Sequence, residues 1–385
     1  MAPKKLNPPF RADHVGSFLR PQRLLEARDR AGLAVEAADA TAARRHSEAG
    51  AELKRIEDEC IREVVKFQES VGLRSITDGE FRRASWAYDL ADRIDGLTLK
   101  VQEGPFQGAF SDTGSRPPIF YTEGKLSRKK GGIVLDDFNF TKTLTKQTVK
   151  VTMPSPTLLY VRGARAGVST SAYPDLEKFF EDVGRVYSGE IADLAKAGCN
   201  YVQIDNTDAA YICDPKFQAT SRALGIEPKD QIKIQARMIS AATRGRPAGV
   251  AVAMHVCRGN NAGNWMAQGG YEFVAESLFN EFDVDAYFLE YDDPRSGDFS
   301  PLRFVPKDRL VVLGLVTTKT PENDSKDMLK RRIDEAAKYM PIENMALSPQ
   351  CGFASVARGN PITVDDERRK LALIVEVATE VWGSA

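Results

Sequence analysis

The stretch GVAVAMHVCRGN, residues 249–260, decides the fold. Its first half is a run of small and β-branched apolar residues that ends in a glycine-asparagine loop. An apolar run of this kind, bounded by loop residues, reads as a strand. Working outward in the C-terminal direction, YEFVAESLFNEF reads as a helix, AYFLE as a strand and RLVVLGLV as another strand. SKDMLKRRIDEAAKYM is then a helix, MALSP a strand and DDERRKLALIVEVATEVW a closing helix. In the other direction lie a helix around DQIKIQARMISAATRG, the strand NYVQI, the helix DLEKFFEDVGRVYSGEIADLAKAG and the strand VKVTM. Strands alternating with helices imply βαβ units. Adding RADHV (11–15) and SITD (75–78) brings the count to eight strands. That number favours an α/β (β/α)8 TIM barrel over an open doubly wound sheet, and no GxGxxG turn follows the first strand.

Residues 36–72 read as one long helix, with Ile61, Val64, Val65 and Phe67 at helical spacing and Gly72 as its stop. Residues 86–148 are rich in Gly, Pro and Thr and include the alternating pattern GGIVLDDFNF. They read as a β-rich or loop-rich insertion after the second strand, a lid or arm within a single barrel domain spanning 1–385.

Composition narrows the function classes. The chain has 385 residues, 42% of them hydrophobic, and 53 basic against 54 acidic residues give a formal net charge of −1. That balance gives no reason to expect nucleic acid or an anionic membrane as partner. MAPKKLNPPF lacks the apolar core of a signal peptide. No apolar stretch approaches the roughly 20 residues needed to span a bilayer. Five scattered cysteines, an odd number, fit a reducing compartment better than a disulfide framework. The expectation is a cytoplasmic protein, with a homo-oligomer left open.

In such barrels the chemistry sits at the C-terminal ends of the strands. Asp13 and His14, Asp78 and Glu80, Asp205, His255 and Cys257, Glu290 and Cys351 all fall at those ends. In an extended strand residues i and i+2 share a face, so His255 and Cys257 project together. Imidazole nitrogen and thiolate sulfur suit tetrahedral Zn(II), and Cys351 and Glu290 are candidates to complete the set. Each position also has a purely structural reading. Glu290 is then a capping or ion-paired carboxylate, Asp205 a helix cap, Asp78 and Glu80 partners of Arg82 or Arg83, and His14 a hydrogen-bonded rim histidine. Cys60, Cys199 and Cys213 read as buried, inert thiols.

RADHVGSFLRP, SITDGEFRR, VTMPSPT, YVQIDNTDAAY, MHVCRGN, YFLEYDDPRSGDF, VVLGLVTTKTPE and LSPQCGFAS occur in this order from residue 11 to about residue 355. Through them the chain resembles the cobalamin-independent methionine synthases, specifically the short single-barrel proteins similar to the catalytic C-terminal half of that enzyme. The resemblance implies a (β/α)8 barrel with a catalytic zinc on His255, Cys257, Glu290 and Cys351. It also implies that Gly16 and Ser17 receive the carboxylate of homocysteine while Glu80 and Asp205 receive its amine. Two motifs depart from the family. Its Asp-Glu-Pro-Ala reads Asp205-Asn206-Thr207-Asp208 here, and Tyr160 is the nearest aromatic to its folate-stacking tryptophan. The full-length synthases also carry a second, N-terminal barrel that helps hold a polyglutamylated folate, so zinc chemistry transfers more directly than donor choice.

The leading expectation is therefore a zinc-dependent methyltransferase acting on a thiol such as homocysteine. Its partners are a small-molecule thiol and a methyl or alkyl donor, a methylated folate among the candidates. His14 and Asp208 are candidate proton carriers by their rim position. The alternative is a zinc alkyltransferase adding a coenzyme M-like thiol to an epoxide or another electrophile. A metal-independent lyase similar to the uroporphyrinogen decarboxylases and a zinc-stabilised binding protein are two further classes.

Overall fold

The structure, a computed structural model, describes residues 8–33, 48–101, 103–110, 117–322 and 324–385. The basic opening residues 1–7 and residues 36–47 of the long expected helix lie outside the described residues. The strands, in chain order, are β1 (Ser75–Ile76), β2 (Ile94–Lys100), β3 (Ile119–Arg128), β4 (Thr148–Pro154) and β5 (Tyr201–Asn206). They continue with β6 (Ala251–Val256), β7 (Ala286–Glu290), β8 (Leu310–Val316) and β9 (Met345–Pro349). One parallel sheet of seven strands runs in the order β1-β4-β5-β6-β7-β8-β9. Helices Leu176–Lys196, Pro228–Thr243, Ala275–Glu281, Lys326–Ala336 and Val364–Trp382 lie between or after its strands. Among the described residues no helix is long and apolar enough to cross a membrane.

The period of two along each strand divides the interior into two cores. Val252, Met254, Val256, Tyr287, Leu289, Val311 and Leu313 face outward into the core shared with the helices. The alternate residues Tyr201, Ala251, Ala253, Ala286, Phe288, Leu310 and Val312 cluster separately inside the curl of the sheet. Continuing that inner parity by two residues leads from Ala253 to His255 and Cys257, and from Phe288 to Glu290. The inward row thus changes from apolar filling to reactive side chains as each strand ends.

The eight strands counted from the sequence become seven hydrogen-bonded ones. Of RADHV, only Ala12 forms a β-bridge, to Leu347 of β9, with Asp13 N donating to Leu347 O at 3.0 Å. Its other side meets β1 through side chains. Ser75 Oγ donates to Asp13 Oδ1 at 2.7 Å, and His14 Nε2 lies 2.9 Å from Ser75 O. Both edges of the sheet therefore flank one segment, which curls the sheet about its inner core. Asp13 is the hub of this seam. Its carboxylate also accepts from Lys150 Nζ of β4 at 2.8 Å and Tyr201 OH of β5 at 2.8 Å.

Residues 86–148 hold the antiparallel pair β2–β3, but GGIVLDDFNF is not part of it. Leu135–Thr141 is a helix. Asp136 and Asp137 stand in its first turn, where acids are favourable, and Glu190 Oε1 accepts from Val134 N and Leu135 N at 2.8 and 3.0 Å. The long early helix runs from Glu48 to Ser70 within the described residues. Helices Gln22–Arg30 and Pro215–Ala223 have no counterpart in the sequence reading.

Candidate metal and substrate site

His255, Cys257 and Cys351 converge at the C-terminal mouth of the sheet. One ligand atom from each lies within 4.8 Å of the other two. Cys257 Sγ and Cys351 Sγ are 3.8 Å apart, and both cysteines are free. A disulfide requires about 2.05 Å, whereas two thiolates on one tetrahedral zinc, at ~2.3 Å per bond, stand about 3.8 Å apart. His255 is buried, and neither ring nitrogen makes a hydrogen bond of good geometry among the described residues, the Cys351 sulfur being its polar neighbour. A buried polar atom without a partner is costly, and a metal ion would satisfy it. Cys257 and His255 beside it draw the Cys351 thiol toward its ionised form. The donor set fits zinc.

Glu290 lies beside these three, and its charge acts on both His255 and Cys257. Burial alone would raise its pKa, but Lys319, Arg258 and Arg295 outweigh that and hold it down at about 2. Arg295 Nη2 lies 2.7 Å and Lys319 Nζ 3.4 Å from Oε1, and the backbone N of Arg258 donates to Oε2. The expected fourth ligand thus stands next to the three at the centre of a basic clamp.

The two expected amine acids do come together beside the three ligands. Asp205 of β5 is the direct register partner of His255. Burial pushes its carboxyl up to about 7, with the nearby Glu80 adding to the rise. Burial also raises Glu80. Glu80 has φ +61°, a left-handed conformation uncommon outside glycine. The helix cap that Asp205 was open to serving is made by its neighbour, since Asn206 Oδ1 accepts from Ala209 N at 3.0 Å. Gly16 takes φ +135°, and a Cβ there would stand 2.6 Å from Thr152 Cγ2 and 3.0 Å from Glu80 Oε1. Only glycine lets the Gly16–Ser17 turn lie this close to the acids.

A cavity of about 930 Å³ connects these groups, with Ser17, Glu80, Asp205, His255, Cys257 and Cys351 in its wall. His14 and Asp208, expected as proton carriers, do not line it. His14 lies in the seam, where burial and Lys150 push its imidazole down to about 3. Asp208 is buried against Arg162 Nε at 3.0 Å. The sequence reading missed Trp86, Tyr88, Arg162 and Tyr211 in the cavity wall. Their signal is weak, because they lie outside the strand ends. It also missed Thr152 and Gln203, polar residues on inward positions of apolar strands, which that pattern alone marks as unusual.

Comparison with known proteins places the chain in a family. The model of the family described as "Cobalamin-independent synthase, Catalytic domain" matches residues 33–380. The uncharacterized protein YxjH of Bacillus subtilis (strain 168) is 38% identical over 381 residues, covering 98% of this chain and 96% of that protein. The methionine synthase of Pyrococcus abyssi (strain GE5 / Orsay) is 23% identical over 316 residues, covering 80% of this chain and 81% of that one. The crystal structure of a Listeria monocytogenes protein, provisionally assigned as a vitamin-B12 independent methionine synthase, superimposes with a TM-score of 0.73. It is 31% identical, with 98% of this chain and 99% of that chain covered.

Proposed function

Because the chain belongs to the family of cobalamin-independent synthase catalytic domains, we propose that it is a zinc-dependent methyltransferase acting on the sulfur of homocysteine or a related amino thiol. The observation that carries this reading is the cluster of His255, Cys257 and Cys351, whose sulfur spacing and buried imidazole suit zinc. The ion would favour the ionised form of an incoming thiol and so make sulfur a nucleophile near neutral pH. His255, Cys257 and Cys351 are the proposed ligands. With Glu290 engaged by Arg295 and Lys319, the ligand count leaves room for the thiol. Glu80 and Asp205 bind the amino group, whose charge adds to that of Arg83 in offsetting the cost of a buried pair of carboxylates. The Gly16–Ser17 turn receives the carboxylate. The frame is a (β/α)8 barrel in which residues 11–15 take the place of the first strand, and the insertion supplies Trp86, Tyr88 and Phe110 to the wall that holds the donor. Five free cysteines fit a reducing compartment such as the cytoplasm.

The alternative, a coenzyme M-like thiol, is opposed by the same acids. Such a thiol has no ammonium, so it leaves Glu80 and Asp205 without the partner that this reading gives them. The test combines metal analysis with product detection. Purified protein should hold about one zinc per chain, and Cys257→Ser and Cys351→Ser should lose it. Zinc-loaded protein given homocysteine and a panel of methyl donors, a methylated folate included, should yield the thioether by mass spectrometry. Full zinc retention by both serine variants sinks the metal assignment.

A further inference from the structure

The geometry points to Thr152 and Gln203 as a positioning pair that aims Glu80 and Asp205 at the amino group of the substrate and thereby selects amino-bearing thiols. The inference rests on the amino-thiol reading above and extends it to two residues that do not line the cavity.

The two residues are direct register partners on adjacent strands, Thr152 on β4 and Gln203 on β5. Both are buried, at 2% and 0% exposure. Each serves one acid. Gln203 Nε2 donates to Asp205 Oδ1 at 2.7 Å, and Thr152 Oγ1 donates to Glu80 Oε1 at 2.8 Å. The direction of each bond is fixed by a second contact. Gln203 Nε2 also donates to Val15 O at 2.6 Å, so a flipped amide would set its oxygen against two acceptors. Arg83 Nη1 donates to Thr152 Oγ1 at 3.2 Å. The single hydroxyl proton of Thr152 is therefore left for Glu80.

The same pair touches the turn that holds the other end of the amino acid. Val15 O, held by Gln203, immediately precedes Gly16. The Thr152 methyl group lies where a Gly16 side chain would stand. One rung of the sheet thus sets the two acids and the Gly16–Ser17 turn relative to one another. A carboxylate turns easily about its last torsion. With one oxygen pinned from below, the other has a single direction in which to meet an ammonium. Glu80 Oε2 is 3.7 Å from Arg83 Nη1, beyond a good hydrogen bond.

The experiment measures binding of homocysteine and of 4-mercaptobutanoate, its analogue without the amino group, to zinc-loaded protein by calorimetry. Thr152→Val and Gln203→Met remove the donors at nearly constant volume. Each is expected to lose about tenfold in preference for homocysteine, with zinc content unchanged. Thr152→Val, which keeps a methyl group against Gly16, should leave affinity for 4-mercaptobutanoate unchanged, whereas Gln203→Met, which also frees Val15 O, should weaken both thiols. Thr152→Ser keeps the hydroxyl and restores the preference. Steady-state kinetics should place the change in KM rather than in kcat. Variants that keep the wild-type preference overturn the pair's role while leaving the amino-thiol reading in place. A wild type that does not distinguish the two thiols overturns both. If Gln203→Met does not fold, the Thr152→Val and Thr152→Ser comparison decides alone.

Discussion

Glu367 is a carboxylate with 2% exposure at the start of the last helix, and it accepts a single backbone N–H, from Leu19 at 3.1 Å. Burial pushes its pKa up to about 8, against smaller opposing effects of that hydrogen bond and Arg368. The folded chain therefore holds this proton in a range where the unfolded chain has released it. Its contribution to stability is complete below the unfolded value of roughly 4.5 and declines as pH rises to about 8. Glu367→Gln should abolish the decline, stabilising the protein by a few kcal/mol at about pH 9 and hardly at all near pH 4. Urea denaturation at both values checks this, and an equal change at both rejects it. At the same scale, His255 and Cys257 were legible in the sequence because alternation along a strand is a local rule. An ion-paired Glu290 is among the readings of the sequence, and Arg295 stands only five residues beyond it. The contacts of Lys319 with Glu290 and of Lys150 with the segment that holds His14 come from other parts of the chain, and no local spacing encodes them.

Strand β6 carries two functions on its two faces, and substitutions should separate them. Val252 faces the helices, whereas Ala253 faces the inner core among Tyr201, Ala251 and Phe288. Val252→Ala should cost about 1–3 kcal/mol of stability by opening a cavity, with zinc content intact. Ala253→Leu should cost a similar ~1–3 kcal/mol by overpacking. It should also reduce zinc occupancy, because the strain is passed to His255 two residues along the same face. Metal analysis beside thermal denaturation distinguishes the two, and equal zinc loss from both refutes the division. The long apolar strands were legible for the reason that makes them insensitive to face: both sides are buried, so hydrophobicity is continuous. RADHV and GGIVLDDFNF differ from the sequence reading for separate reasons. In the first, polar side chains replace ladder hydrogen bonds; in the second, a short capped helix packs Leu135 and Phe138 against the main core.

At the scale of the whole molecule, the seam beside β1 is joined through side chains, and Asp13 holds it with hydrogen bonds from Lys150, Ser75 and Tyr201. Asp13→Ala leaves the Lys150 ammonium buried without its carboxylate and should cost about 3–5 kcal/mol. Adding Lys150→Met should recover much of that loss, because an apolar pair is tolerated where a lone charge is not. Failure of the double variant to refold better than the single one speaks against this account of the seam. A segment fastened at its margins by side chains rather than by a full ladder has few of its own amide protons shielded in regular pairing. Residues 11–17 should thus be among the first interior amides to take up deuterium, and an amino acid seated on the Gly16–Ser17 turn should slow that uptake. Occupancy of the substrate pocket and closure of the ring would then be one and the same event.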